Sequence, residues 1–248
     1  MPRSSPKQTQ PIGLRETNVE ARRQRILDAA RRLITRGGMN SLSMRKLAKE
    51  AGLAVATLYN LFGVREEILD ALVIDAIDQM NLELNRDAPL DDPIERCRAI
   101  ITVSVRHMVD REAVFRPMVI AAHQTALGTG QVRREITLRA SGMQSLAIAA
   151  AIEQGLLKDL LDPTQLGRQI YHGYELASLQ WGFGELDARG FEARALYGLN
   201  LALLAVAGDA IRAQLEADLR ELDDEMNLLK GAAPHGTNRT TSSTQTGH

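Results

Sequence analysis

Apolar residues recur at helical spacing along almost the whole chain. Between Val19 and Arg36, Ile26, Ala29, Ala30, Leu33 and Ile34 share one face, and Arg22, Arg23, Arg25, Arg31 and Arg32 cover much of the rest. That three-and-four spacing predicts an amphipathic helix, which Gly37 and Gly38 end. Ser43 is a good N-cap for a second helix, MRKLAKEA, stopped by Gly52. The next stretch, AGLAVATLYNLFG, is apolar and bounded by glycines, and too short for a stable helix alone. After Gly63, a stripe of Ile68, Leu69, Leu72, Val73, Ala76 and Ile77 predicts a long helix from Arg65 to Asn85.

The rest of the chain follows the same pattern. Asp92-Pro93 and Asp162-Pro163 each place a capping carboxylate before a first-turn proline. They open helices expected over 93–109 and from 163 to about Ala188. Two more are expected over 115–126 and 132–154, and a last one from Phe191, after a break at Gly190, to Leu229. No run alternates apolar and polar β-branched residues, so the expected fold is all-α with about nine helices. Residues 1–19 and 231–248 are polar and aperiodic, and are expected to be a disordered basic arm and a disordered tail.

Charge changes the picture more than composition does. The net charge of −1 hides a split. Met1 to Arg65 carries 13 Lys/Arg against 4 Asp/Glu, net +9, and Glu66 to His248 carries 17 against 27, net −10. A basic module for a polyanion, attached to an acidic body, fits that asymmetry. A single cysteine, Cys97, excludes an internal disulfide and suits a reducing compartment. The start has no apolar core of signal-peptide length, and LALLAVAG at 201–208 is too short to span a bilayer. A cytoplasmic protein without a membrane partner is expected. His107, His123, His172, His235 and His248 fall in no metal-binding spacing, and neither a P-loop nor a Gly-x-Ser-x-Gly is present. No metal, cofactor or catalytic constellation is therefore expected.

The short apolar stretch now finds a purpose. SMRKLAKEAGLAVATLYNLF has the layout of a helix-turn-helix. Leu42, Leu47, Ala48, Leu53, Leu58 and Phe62 can face the first helix and hold the short one in place. Val55, Ala56, Thr57, Tyr59 and Asn60 are left on its other face, where they suit base edges, thymine methyls and phosphates. The stretch RILDAARRLITRGGMNSLSMRKLAKEAGLAVATLYNLFGVREEILDAL resembles the DNA-binding domain of the TetR/AcrR family of bacterial transcriptional regulators. The landmarks are RILDAA, Gly38, Ser43, Arg45, Leu47-Ala48, Ala51-Gly52, Thr57-Leu58-Tyr59, Phe62 and Leu69. The resemblance implies that Arg45 touches a base edge or phosphate. It also implies that Val55, Ala56, Tyr59 and Asn60 line the major groove, that Thr57 and Tyr59 hold the DNA backbone, and that Arg65 clamps a phosphate. Ala54 departs from the family's frequent capping Ser, Val55 from a basic or polar residue, Asn60-Leu61 from Arg-His, and Gly63 from Pro.

The resemblance further implies a body, residues 67–230, that binds a small effector and dimerises, behind a DNA-binding domain at 20–66. His107, Met108, Phe115, His123, Met143, His172, Tyr174 and Trp181 set soft and polar groups among apolar ones, as an apolar ligand pocket requires; ordinary core filling would look the same. Tyr171, Leu199, Ala202, Leu203, Val206 and Ala210 form a stripe that fits either a two-fold bundle or packing within one chain. The expected function is a ligand-released repressor, homodimeric on a palindromic double-stranded operator. The rival readings are an architectural DNA-binding protein without an effector and, with no catalytic residues to support it, a helical enzyme.

Overall fold

A computed structural model describes residues 12–87, 91–124 and 130–232. Helix α1 spans Ile12–Gly37, and a short 3-10 turn at Met39–Ser41 leads to α2, Met44–Ala51, and α3, Val55–Phe62. The Ser43 side chain accepts from the Lys46 amide at 3.4 Å, capping α2 as predicted. Gly52 ends α2 in the left-handed region, at φ 65°, where a Cβ is costly. Helix α1 starts well before Val19, so the expected disordered arm is helical from Ile12 onward. Leu14, Arg15 and Glu16 are good helix formers, and after Pro11 only Gly13 opposes them. Residues 1–11 of that arm lie outside the described residues, as do residues 233–248 of the expected tail.

Helix α4 runs Arg65–Asp87, α5 Pro93–Val109, α6 Glu112–Gln124 and α7 Gly130–Glu153. Asp92 accepts from the amides of Ile94 and Glu95 at 3.0 and 2.9 Å, and Asp162 from that of Thr164 at 2.8 Å. Both Asp-Pro starts are thus real. Helix α8, Pro163–Gly182, stops earlier than expected. The chain turns at Gly184, φ 78°, and Asp187 caps α9, Ala188–Ala205, by accepting from the Gly190 amide at 2.7 Å. Gly190 therefore sits in the first turn of a helix and does not break one.

The expected single last helix is two. Helix α10, Asp209–Ala232, follows a turn at Val206–Gly208. That turn is held from outside by the segment after α7. Leu157 and Ala207 form an isolated bridge, Lys158 N donates to Val206 O at 2.7 Å, and Gly208 N donates to Leu156 O at 2.9 Å. A Cβ at Gly208 would stand 2.8 Å from Leu156 O. The break is thus a tertiary pairing written over a good helical pattern, which local propensity does not report.

Two cores organise the chain. The first joins Ile26, Ala30, Ile34, Leu47, Leu58, Phe62, Ile68, Leu69 and Leu72, with Met118 from α6. The second gathers α5, α7, α8 and α9 around Ile101, Ile148, Trp181, Phe191 and Leu199, with Ala76 and Leu84 from α4. Helix α4 passes from one core to the other between Leu72 and Ala76. Leu199, Leu203 and Val206 are each 1% exposed inside the second core. These three of the six residues of the expected dimer stripe thus pack within the chain. A periodic apolar stripe fixes a buried face but not the molecule it is buried against.

Candidate nucleic-acid interface and effector cavity

Helix α3 is too short to stand alone and is fixed by its neighbours. Leu58 and Phe62, 0% and 6% exposed, seat it in the first core. On the opposite side Ala56, Tyr59 and Asn60 are exposed, and Val55 and Thr57 are half-buried. Arg45 is exposed on α2. Ala54 gives α3 no side-chain cap. Gly63 leaves α3 at φ 75°, which a proline cannot adopt, so its departure from the family pattern has a backbone reason. Arg65 is half-buried, and its Nη2 donates to Met39 O at 3.0 Å. That bond ties the start of α4 to the turn between α1 and α2.

The arginines of α1 brace the module. Arg23 donates to Leu61 O at 2.8 Å and lies 4.3 Å over the Phe62 ring. Arg25 donates to Ala51 O at 2.8 Å. Each completes a last-turn carbonyl that its helix leaves unpaired. Arg31 pairs with Asp28 at 2.9 Å and with Asp75. Arg32 and Arg36 both reach Glu50 Oε1, at 2.9 and 2.5 Å, and these two bonds hold the Glu50 carboxyl below the ordinary range. The sequence shows the arginines but not these partners. Arg22, Arg45, Lys46 and Lys49 are exposed around them.

A cavity of about 410 Å³ lies in the body, walled by α4, α5, α6, α7 and α8. Of the predicted pocket residues, Met108, Phe115, His123, His172 and Tyr174 line it. His107, Met143 and Trp181 are not in its wall. His107 is buried against Glu83, 3.1 Å away, and meets Phe115 edge-on at 5.4 Å. Met143 packs against the second core. Trp181 stacks on Phe191 at 5.5 Å beneath the Arg116 guanidinium. Met118 lines the cavity too, and Asn81, Thr137 and Gln144 line it without having been predicted. Gln144 had a signal: it shares the inward face of α7 with Ile136, Ala147, Ile148 and Ala151, where an amide is out of place. Among the described residues no cluster of His, Cys, Asp or Glu could hold a metal, and no helix is long and apolar enough to cross a membrane.

A short helix seated by its apolar side, with its other side exposed beside an Arg-bearing helix, defines the helix-turn-helix class of DNA-binding module. Residues 26–72 match the family model for bacterial regulatory proteins of the tetR family, and that span supplies all of the first core but Met118. An uncharacterised helix-turn-helix transcriptional regulator of Mycobacterium tuberculosis is 36% identical over 104 residues, 42% of this chain and 50% of that protein. The KstR repressor of Rhodococcus jostii is 28% identical over 152 residues, 56% of this chain and 71% of that one. The chain thus spans about half the length of the first of these relatives. The crystal structure of RolR with resorcinol has a TM-score of 0.62 at 18% identity, over 82% of this chain and 95% of that one; at that identity the likeness concerns the fold. The likeness to the tetR family of bacterial regulatory proteins thus rests on residues 26–72, with the fold of the described residues in keeping. That family is one of transcriptional regulators rather than of enzymes.

Proposed function

We propose that the chain is a repressor that binds a palindromic double-stranded operator as a homodimer and is released by a small molecule held in the cavity. The exposed face of Ala56, Tyr59 and Asn60 supports α3 as the helix that enters the major groove, with Arg45, Thr57 and Arg65 on the flanking backbone. One observation carries the ligand-released part. Met118 on α6 belongs to the first core and also lines the cavity. A ligand that favours one setting of α6 therefore biases the setting of the DNA-binding module, by its difference in affinity for the two states. Resorcinol in the related fold of RolR supports a small molecule as the occupant. With Leu199, Leu203 and Val206 committed to the core, the dimer face falls to what remains at the surface. That is Tyr171, Ala202 and Ala210 with Leu176 and Leu201, the last two 59% and 53% exposed.

Selection of DNA from a random pool by the full chain tests this reading. The expected product is a palindrome with an A/T-containing step in each half-site, because an amide pairs best with adenine and Val55 and Ala56 offer only apolar contact. Asn60→Ala is expected to cost about 1–3 kcal/mol on that site and to relax one base position. An unenriched pool overturns the proposal, and an unchanged profile with Asn60→Ala removes Asn60 from base reading.

A further inference from the structure

The Gln144 side chain is 2% exposed, and neither its amide nitrogen nor its oxygen has a hydrogen-bond partner in the protein. The same residue lines the cavity. A buried amide without partners is costly, and a wall group of this kind persists where something else completes it. Three other polar groups of the wall are already engaged. Ser104 Oγ donates to Ile100 O at 2.6 Å, Ser178 Oγ to Glu175 O at 2.7 Å, and the Tyr174 hydroxyl to Met108 Sδ at 3.0 Å. Among the described residues no Lys or Arg lines the cavity, and its ionisable groups besides the tyrosines are Glu175, His123 and His172, all exposed. A carboxylate or phosphate would enter that wall without a counter-charge. A hydroxyl on an apolar frame would meet the missing partner: it donates to Gln144 Oε1 or accepts from Nε2.

We propose that Gln144 is the polar anchor of an uncharged, mainly apolar effector that presents a hydroxyl group. This rests on the cavity's being the effector site. Both amide atoms are buried, so the ligand engages them through a turn of the last side-chain bonds.

Calorimetric titration at neutral pH with naphthol, naphthalene and naphthoate tests it, on the full wild-type chain and on Gln144→Leu and Gln144→Met. The two variants keep the side chain's size and replace the unpaired amide with an apolar end, and circular dichroism checks that each is folded. The expected result is that naphthol binds wild type about 10-fold more tightly than either of the others. Both variants should lose that advantage while binding naphthalene as tightly as before or more so. Naphthoate binding tightest, or a naphthol preference that survives in both variants, overturns the assignment of Gln144 while leaving the cavity as the effector site. Binding of none of the three to wild type overturns the cavity reading and the anchor with it.

Discussion

Leu201 and Leu203 lie on one helix, two positions apart, and meet opposite surroundings. Leu203 is 1% exposed in the second core, and Leu201 is among the exposed large apolar residues. Leu203→Arg buries an unpaired charge and is expected to destabilise the body by about 3–5 kcal/mol, read as a lowered thermal midpoint. Leu201→Arg should leave that midpoint near the wild-type value and halve the sedimenting mass. A Leu201→Arg variant that still sediments as a dimer moves the interface elsewhere. The sequence made Leu58, Phe62 and Ser43 legible, because a buried position on a short helix and a cap each have one local meaning. It did not separate Leu203 from an interface residue, since burial within a chain and burial between chains follow the same periodicity. Gln144 was missed for the opposite reason: its signal is a single polar residue on an apolar face, which the periodicity of that face passes over.

Among the elements, the starts were easier to read than the ends. Both Asp-Pro caps act within three residues of themselves, so the local sequence carries them. The turn between α9 and α10 depends on Leu156 and Lys158, some fifty residues away (about the span that local rules cannot see). Helix α5 is joined to α4 by His107, and this joint has a pH dependence. Burial first, then the nearby charges of Arg111 and Arg31, hold the imidazole below the ordinary range, against the opposing pull of Glu83. The unfolded chain therefore binds the proton more readily than the folded one. The stabilising effect is complete above the ordinary histidine value of about 6.5 and is lost as pH falls toward the lower folded value. Urea midpoints should drop on acidification through that window. His107→Gln should flatten this part of the curve, and an equal slope in both proteins would clear His107 of the effect.

At the scale of the whole molecule, the charge split pointed to a polyanion as partner of the amino-terminal module. What it overstated is the number of free cations, because Arg23, Arg25, Arg31, Arg32 and Arg36 are bonded within the chain. A dimer neutralising about six phosphates gives a log–log slope of operator affinity against salt of about −5. Exposed Arg22, Arg45, Lys46 and Lys49 supply enough charge for that. A slope near zero removes the interface, and one far steeper would mean that the bracing arginines let go of their carboxylates when DNA arrives.

Helix α4 has a consequence for how the protein comes apart. Its first half completes the core of the DNA-binding module through Ile68, Leu69 and Leu72, and its second half enters the body through Ala76 and Leu84. A rigid rod shared by two cores cannot melt at one end without withdrawing side chains from both. Heat should therefore be absorbed in a single calorimetric peak, with the van't Hoff and calorimetric enthalpies in agreement. Two resolved peaks would show that the cores part company within α4. By the same logic, a fragment cut at residue 66 loses Ile68, Leu69, Leu72 and Met118 from its own core. It should remain largely unfolded by circular dichroism, whereas a fragment carried through Asp87 should gain helix and a cooperative melt.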